Sequence, residues 1–550
     1  MKNLIIKNGT VYDPLNDIEG EVKDILIEKG IIVEKFSNST DVAVIDAKGK
    51  TVIPAAIDIH AHVASQQVNW VRLLGKKDPK IYETWKGLVL EKIAKDYITN
   101  GYTTIIEANV FPSLAKQTIF NLSHFPVLDK AMLINVSNLW PLELEYQRGK
   151  IEDMSIFLSD LLEKVKGFGF KVYNPFESEN WDFKIIRDNL SSQGRLYNFS
   201  ALDVYKTLTQ CNERLNLPHS IHAHVEGYEN EEGQKNLLDV LEEIKKLELK
   251  VPNNRNQIFH LAHASSYNIN GENSEIIRFF NENQHFDLDL GCLGFNKINP
   301  LITSDRRLIN SLSKSENNYN IIRSAIELEG DAFATHRMFD KNIKKDCIIW
   351  SNAIDLALNI KNKYQVQFSI NYPNYANITD VPEISTWLLS EQARGKFIET
   401  MDPSYKAITN LLNIPKSLSF NEFVIMTRAS PARSLGLNKI KGHLGNGADG
   451  DMNILDMNAS DLDLNKDWES LKKSLKSIEY VIKKGEIIKK NDEINLNKEG
   501  KIIWTKGNAP DDPSGYIMKK KREFYQKYTS FFYDFYQVNI SPKDLLQIKY

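Results

Sequence analysis

Six of the eleven histidines fall into three short clusters, His60-Ala61-His62, His222-Ala223-His224 and His260-Leu261-Ala262-His263, and each closes a run of β-forming residues. On a strand, residues i and i+2 point to the same side, so His60 and His62 can converge on one ion. Each of the other clusters offers one inward imidazole, and neutral imidazole is a common ligand for zinc and its neighbours. The fourth element is Lys171, at the end of Phe168-Gly169-Phe170 and before Val172-Tyr173. A buried ammonium is costly, so a lysine there must be neutralised or employed. Carbamylation would make it a carboxylate-like bridge between two cations; a snorkelling or substrate-binding lysine is the alternative.

These residues need a frame that brings strand ends together. The middle of the chain alternates apolar runs at 103–107, 131–136, 168–173, 220–224, 257–263 and 366–370 with amphipathic stretches such as 81–99. That alternation predicts a parallel sheet wrapped by helices, an α/β (β/α)8 barrel with its chemistry at the C-terminal face. Short β runs at 4–7, 10–12, 24–28, 31–34 and 42–46, with turn signals at Asn8-Gly9 and Lys29-Gly30, open the chain. A matching block at 453–455, 478–482, 486–489 and 502–504, with Lys484-Gly485 as a turn, predicts one small β-sandwich built from both termini. The expected organisation is therefore 1–54 (sandwich, first part), 55–437 (barrel), 438–507 (sandwich, second part) and 508–550 (tail). Phe524, Tyr525, Tyr528, Phe531, Phe532, Tyr533, Phe535 and Tyr536 give the tail a helix-like aromatic stretch. It packs on its own barrel or docks a partner protein.

Bulk properties narrow the function classes. A chain of 550 residues, 42% hydrophobic and 26% charged, reads as an ordinary soluble globular protein. Its net charge of −3 provides no broad field for nucleic acid or an acidic membrane. Cys211, Cys292 and Cys347 are too few and scattered for a disulfide framework, so reduced thiols in a cytoplasmic protein are expected. The first residues read as a strand without a signal-peptide core, and no run of 18 apolar residues predicts a membrane span.

The leader Ile57-Asp58-Ile59-His60-Ala61-His62, the barrel lysine, the later strand-end histidines and the run Thr427-Arg428-Ala429-Ser430-Pro431-Ala432-Arg433 resemble the cyclic amidohydrolases, relatives of hydantoinase and dihydroorotase. Longer stretches resemble the A-type component family of formylmethanofuran dehydrogenase and its bacterial counterpart in the formyltransferase/hydrolase complex. They include Val68-Asn69-Trp70-Val71-Arg72-Leu73, Lys171-Val172-Tyr173-Asn174-Pro175, Leu217-Pro218-His219-Ser220-Ile221-His222 and Pro382-Glu383-Ile384-Ser385-Thr386-Trp387. The likeness runs from about residue 3 to beyond 530. It implies a barrel with two metal ions, usually zinc. His60 and His62 would hold one, carboxylated Lys171 would bridge, and His222 and His263 would hold the second. It implies hydrolysis of an N-formyl amine, formylmethanofuran or a bacterial analogue, to formate and amine in one-carbon metabolism (methylotrophy in bacteria). Formyltransferase and the other subunits of such a complex are the implied partners.

One position departs from that pattern. The family closes its metal site with an aspartate on the eighth strand, in a run like Thr-Asp-His-Pro-Asn, where this chain has Ile370-Asn371-Tyr372-Pro373-Asn374. Asn371 thus stands where a catalytic aspartate is expected, and an amide cannot shuttle a proton. Ala55 also replaces the usual glycine of the lead-in. A shifted eighth strand would make Asp380 the acid instead. Otherwise the chain is a catalytically impaired scaffold of the same complex, or an amidohydrolase cleaving a different, cyclic amide.

Overall fold

The computed structural model describes residues 3–549 apart from 38–40, 66–67, 71–88, 177–188, 195–197, 251–254, 304, 315–320 and 328. The chain opens with β1 (Asn3–Asp13), β2 (Ile18–Glu28), β3 (Ile31–Val33), β4 (Val42–Asp46) and β5 (Thr51–Pro54). Asn8-Gly9, expected as a turn, is a bulge inside one long strand: the β1–β2 register shifts between Ile6 and Gly9, with Asn8 at φ 60°. The bulge redirects β1, which pairs with β4 before it and β5 after it. Any Cβ at Gly9 would collide with Val52 of β5, which explains the glycine. Lys29-Gly30 is a hairpin turn as expected, both residues in the left-handed region at φ 53° and 87°.

Seven parallel strands then pair in chain order: β6 (Ala56–Ala61), β7 (Tyr102–Val110), β8 (Asp129–Asn135), β9 (Gly169–Tyr173), β10 (Ile221–His224), β11 (Phe259–Leu261) and β12 (Phe286–Asp289). An inserted antiparallel sheet follows, β13 (Asn296–Thr303), β14 (Ile322–Ile326) and β15 (Gly330–Phe339), before β16 (Val366–Gln367) pairs parallel with β12. The eight-strand barrel closes just beyond β16. His62 N donates to Tyr372 O at 2.7 Å, and Ser369 Oγ to His60 O at 3.1 Å. Both faces of these strands are buried, as parallel strands under a helical layer must be. That layer includes helices Leu90–Thr99, Ile151–Val165, Ala201–Arg214, Gly233–Lys245 and Lys344–Asn359. Ser200 and Asp203 form a capping box on the third.

Three expectations change. The strand expected at 366–370 contributes only two residues to the ladder, and the following residues close the barrel as a loop. β12 was not foreseen, because Phe286-Asp287-Leu288-Asp289 interleaves two aspartates into what an all-apolar pattern would seek. The inserted sheet was not foreseen either. Of the helix expected at 81–99, the described part is Leu90–Thr99; 81–88 lie outside the described residues, as do Val71-Arg72-Leu73.

β17 (Met452–Leu455), β18 (Tyr480–Lys483), β19 (Glu486–Lys490) and β20 (Glu493–Ile494) complete the terminal β unit in the order β20-β19-β18-β17-β5-β1-β2-β3, with β4 beside β1. It has its own apolar core, including Ile6, Ile27, Val52, Ile454 and Ile482. A buried ion cluster fastens it to the barrel. Lys441 Nζ lies 2.8 Å from Asp129 at the start of β8 and 3.0 Å from both Asp449 and Asp451, and Lys483 lies 2.7 Å from Asp129. Three carboxylates so close could hold a cation, and here the Lys441 ammonium is that cation.

β21 (Ile502–Thr505), expected in the terminal unit, instead pairs with barrel strand β8 and with β22 (Leu545–Ile548). Its Ile503 packs with Ile57, Ile106, Leu133 and Phe168 of the barrel, because residues 498–501 bind back to 127–130 through the backbone and steer it there. The tail is only partly helical, at Tyr516–Tyr528, and ends in β22. Tyr525, Tyr533 and Tyr536 are buried against one another, and Tyr533 donates to Asp160 on a barrel helix, so the tail packs on its own barrel.

Candidate active site

The ends of the barrel strands gather the chemistry-bearing residues. His60 ends β6, Lys171 lies in β9, His222 and His224 in β10, His263 follows β11, and Asn371 follows β16; all are buried. His60, His62, Lys171, His224, His263 and Asn371 line a single pocket together with Asn109, Tyr173, Tyr228 and Asn374. His222 sits one layer deeper. It is in register with Lys171 and His260 on the neighbouring strands, with its Nε2 3.0 Å from His60 Nδ1. Four of the five residues considered as ligands thus meet in one pocket, and the fifth, His222, lies behind it against His60. Asp380 does not: its carboxylate belongs to the capping box of the 3-10 turn Ile378–Asp380 and accepts from Asn377 N at 3.0 Å. Asn371 is the residue that faces the pocket. It holds the left-handed φ of 47° that asparagine tolerates, with Oδ1 accepting from Asn374 Nδ2 at 3.1 Å.

Three carboxylates escaped the sequence reading. Glu107, ending the apolar run Thr104-Ile105-Ile106, accepts three backbone N–H groups through Oε2, from Val63 (2.8 Å), Ala64 (2.7 Å) and Ser65 (3.1 Å). Its Oε1 lies 3.4 Å from His62 Nδ1. Glu107 therefore fixes the loop after His62 and orients its ring, as a carboxylate behind a ligand histidine does. Asp289 Oδ2 lies 3.1 Å from His60 Nδ1, 3.2 Å from His260 Nε2 and 3.8 Å from His222 Nε2, while Oδ1 accepts from His263 N at 2.9 Å. Asp287 engages the other nitrogen of His260 at 3.0 Å. The signal that could have found them is the i, i+2 pair Asp287 and Asp289 ending a short run between two histidine strands.

The electrostatics divide the histidines. Burial holds His60 down to about 3 and His222, His224 and His263 well below the usual 6.5, so these rings are neutral and can offer a lone pair. For His260 burial acts the same way, but the charge and hydrogen bonds of Asp287 and Asp289 outweigh it and raise the ring to about 9. His260 is thus committed to its two carboxylates, and among that cluster His263 faces the pocket. Burial brings Lys171 down to about 7, with Asp289 pulling weakly the other way. Near neutral pH a substantial share of the amine is then neutral, the form that carbamylation requires.

Among the described residues, His224 Nε2 and Lys171 Nζ have no hydrogen-bond partner, while His62 Nδ1 and Glu107 Oε1 face each other at 3.4 Å without closing a hydrogen bond. Leaving such groups unmet costs roughly 1–3 kcal/mol each. Neutral imidazoles, a buried amine and orphaned nitrogens around one pocket fit a divalent metal such as zinc. The inserted sheet supplies a wall through Leu301, Ile302, Thr303 and Ala332. It is tied to the barrel by Tyr173 OH and Thr303 Oγ1, 2.9 Å apart, and by the buried pair Arg337–Glu229.

This barrel with histidines on its first, fifth and sixth strands and a lysine on its fourth is matched by the sequence model of the amidohydrolase family over residues 43–293 and 335–489. The chain belongs to the amidohydrolase family. The unmatched 294–334 covers most of the inserted sheet. Within the family, the chain is 30% identical over 471 residues to Protein FwdA of Methanocaldococcus jannaschii, covering 82% of each chain. It is 25% identical over 475 residues to the A-type component of the Fhc formyltransferase/hydrolase complex of Methylorubrum extorquens, covering 82% of this chain and 83% of that one. Its fold superposes with TM-score 0.87 on a chain in the crystal structure of the Methylorubrum extorquens FhcABCD complex with methylofuran, at 22% identity and 99% coverage of both. Among the described residues, no helix is long and apolar enough to cross a membrane.

Proposed function

We propose that this chain is the formyl-hydrolysing component of a one-carbon complex: it converts an N-formyl amine and water to formate and the free amine. The observation that carries this is the pocket where His60, His62, Lys171 and His263 meet with unpartnered buried nitrogens, in a chain whose relatives FwdA and the A-type Fhc component match over 82% of its length. In this reading zinc would be held by His60, His62, carboxylated Lys171, His222 and His263, as two ions per chain. Zinc held there would supply a Lewis acid for the formyl oxygen and would lower the pKa of water toward about 7. The protein's own groups do the rest. Glu107 orients His62, the Leu301–Thr303 wall narrows the mouth, and the Asn371 amide can donate to the substrate but cannot take a proton from water. The partners are a formyltransferase and the remaining subunits, as in the Fhc formyltransferase/hydrolase complex.

The test measures zinc content and formate release from a formylated furfurylamine. About two zinc ions per chain with turnover is the expected result, together with loss of metal in Lys171→Ala. Folded protein in its complex that holds little zinc and releases no formate would mean that the barrel serves assembly instead, the reading that Asn371 favours.

A further inference from the structure

Residue 371 offers the site no negative charge, yet a carboxylate stands in the same cluster on a different strand. We propose that Asp289 is itself a metal ligand, supplying from the seventh barrel strand the anionic donor that residue 371 lacks, at an ion shared with His60 and His222. This rests on the reading that the pocket holds zinc.

The geometry is specific. His60 Nδ1, His222 Nε2 and Asp289 Oδ2 are separated by 3.0, 3.1 and 3.8 Å. Donors on a tetrahedral zinc, with bonds of about 2.0–2.1 Å, lie about 3.3–3.4 Å apart. The three atoms therefore sit near the edges of a coordination face without any side chain having to swing. All three are buried. Two imidazole nitrogens meeting at 3.0 Å can share one proton between them, and a cation bound to both replaces that proton.

The rest of the carboxylate is already arranged for the task. Asp289 Oδ1 is fixed by His263 N–H, and Oδ2 takes a hydrogen bond from His260 Nε2, which Asp287 holds from its far side. A ligating carboxylate that is itself hydrogen-bonded is the usual outer-shell pattern.

The experiment compares wild type, Asp289→Asn and Asp289→Asn/Asn371→Asp, by zinc affinity against a chromophoric chelator and by melting with and without EDTA. Asparagine at 289 keeps the shape and can still accept from His263 N–H, but it removes the charge that faces His260, so each variant is melted both with zinc and in EDTA and the zinc-dependent rises are compared. The expected result is a fall in zinc affinity of at least about tenfold in Asp289→Asn. Most of the zinc-dependent rise in melting temperature should vanish with it, and the added aspartate of the double variant should restore part of both. In a zinc-loaded crystal structure, Oδ2 should lie about 2.0–2.2 Å from the ion. Wild-type zinc affinity in Asp289→Asn, an undiminished zinc-dependent rise in its melting temperature, or an Oδ2–zinc distance well outside that bonding range would overturn the assignment. If wild type takes up no zinc, the metal reading falls and carries this assignment with it; the other outcomes leave that reading standing.

Discussion

Replacing Asn371 by aspartate is expected to raise turnover of an N-formyl amine by about 10²–10⁴-fold, the range that a positioned general acid–base group contributes. The position supports the substitution. Asn371 lines the pocket beside His60 and His62, and the backbone there is tied to His62 N through Tyr372 O. Aspartate tolerates the same left-handed φ, and its Oδ1 would still accept from Asn374 Nδ2. The substitution exchanges an NH₂ for an oxygen of nearly the same size in a pocket that already fits. What changes is the ability to take a proton from water and pass it to the leaving amine. The measurement is kcat for formate release at saturating zinc, with zinc content determined on the same samples. Full zinc occupancy without a gain in kcat would show that proton transfer is not what the pocket lacks.

The second large effect concerns stability. Lys441→Met is expected to destabilise the protein by about 3–5 kcal/mol, because it leaves the buried Asp129, Asp449 and Asp451 with Lys483 and the partly exposed Lys484 as their remaining cations. The pH dependence identifies the cause. In the native state the two lysines outweigh the burial that would raise Asp129 and Asp451, and hold both carboxyls below the ordinary 3.8. For groups shifted down, the stability is present above pH 3.8 and is lost as pH falls through the lower folded values. The wild type should therefore lose this contribution only below about pH 4. In Lys441→Met the deficit should be largest near neutral pH and shrink toward about pH 4, as the stranded carboxylates become protonated. Denaturant midpoints at several pH values would show this, and a deficit independent of pH would point to lost packing instead.

Much of the architecture could be read locally. Hydrophobic runs at regular spacing imply a barrel because parallel strands buried on both faces must be apolar. The left-handed pairs Lys29-Gly30 and Lys484-Gly485 form hairpin turns because their neighbours are strands that need one. The same chemistry at Asn8-Gly9 gives a bulge. There the flanking residues continue one strand and Val52 packs against the glycine, a contact that no local pattern around Gly9 contains.

The sequence by itself determined that His60, His62, Lys171, His222 and His263 would lie in or just after barrel strands. Residue type and local periodicity set strand positions, and strand ends in a parallel barrel share one face. It also determined that position 371 carries an amide. Only the tertiary structure decided what those residues meet. Asp289 entered the site because β12 lies between β11 and β16; Glu107 was turned toward His62 by the loop it caps. The choice between His260 and His263 followed from which ring two buried aspartates had already engaged. Asp380 was assigned to a capping box instead of the pocket. Each of these outcomes depends on distances between residues far apart in the chain, where a carboxylate's burial and charge partners are fixed by packing and local sequence patterns carry no information about them.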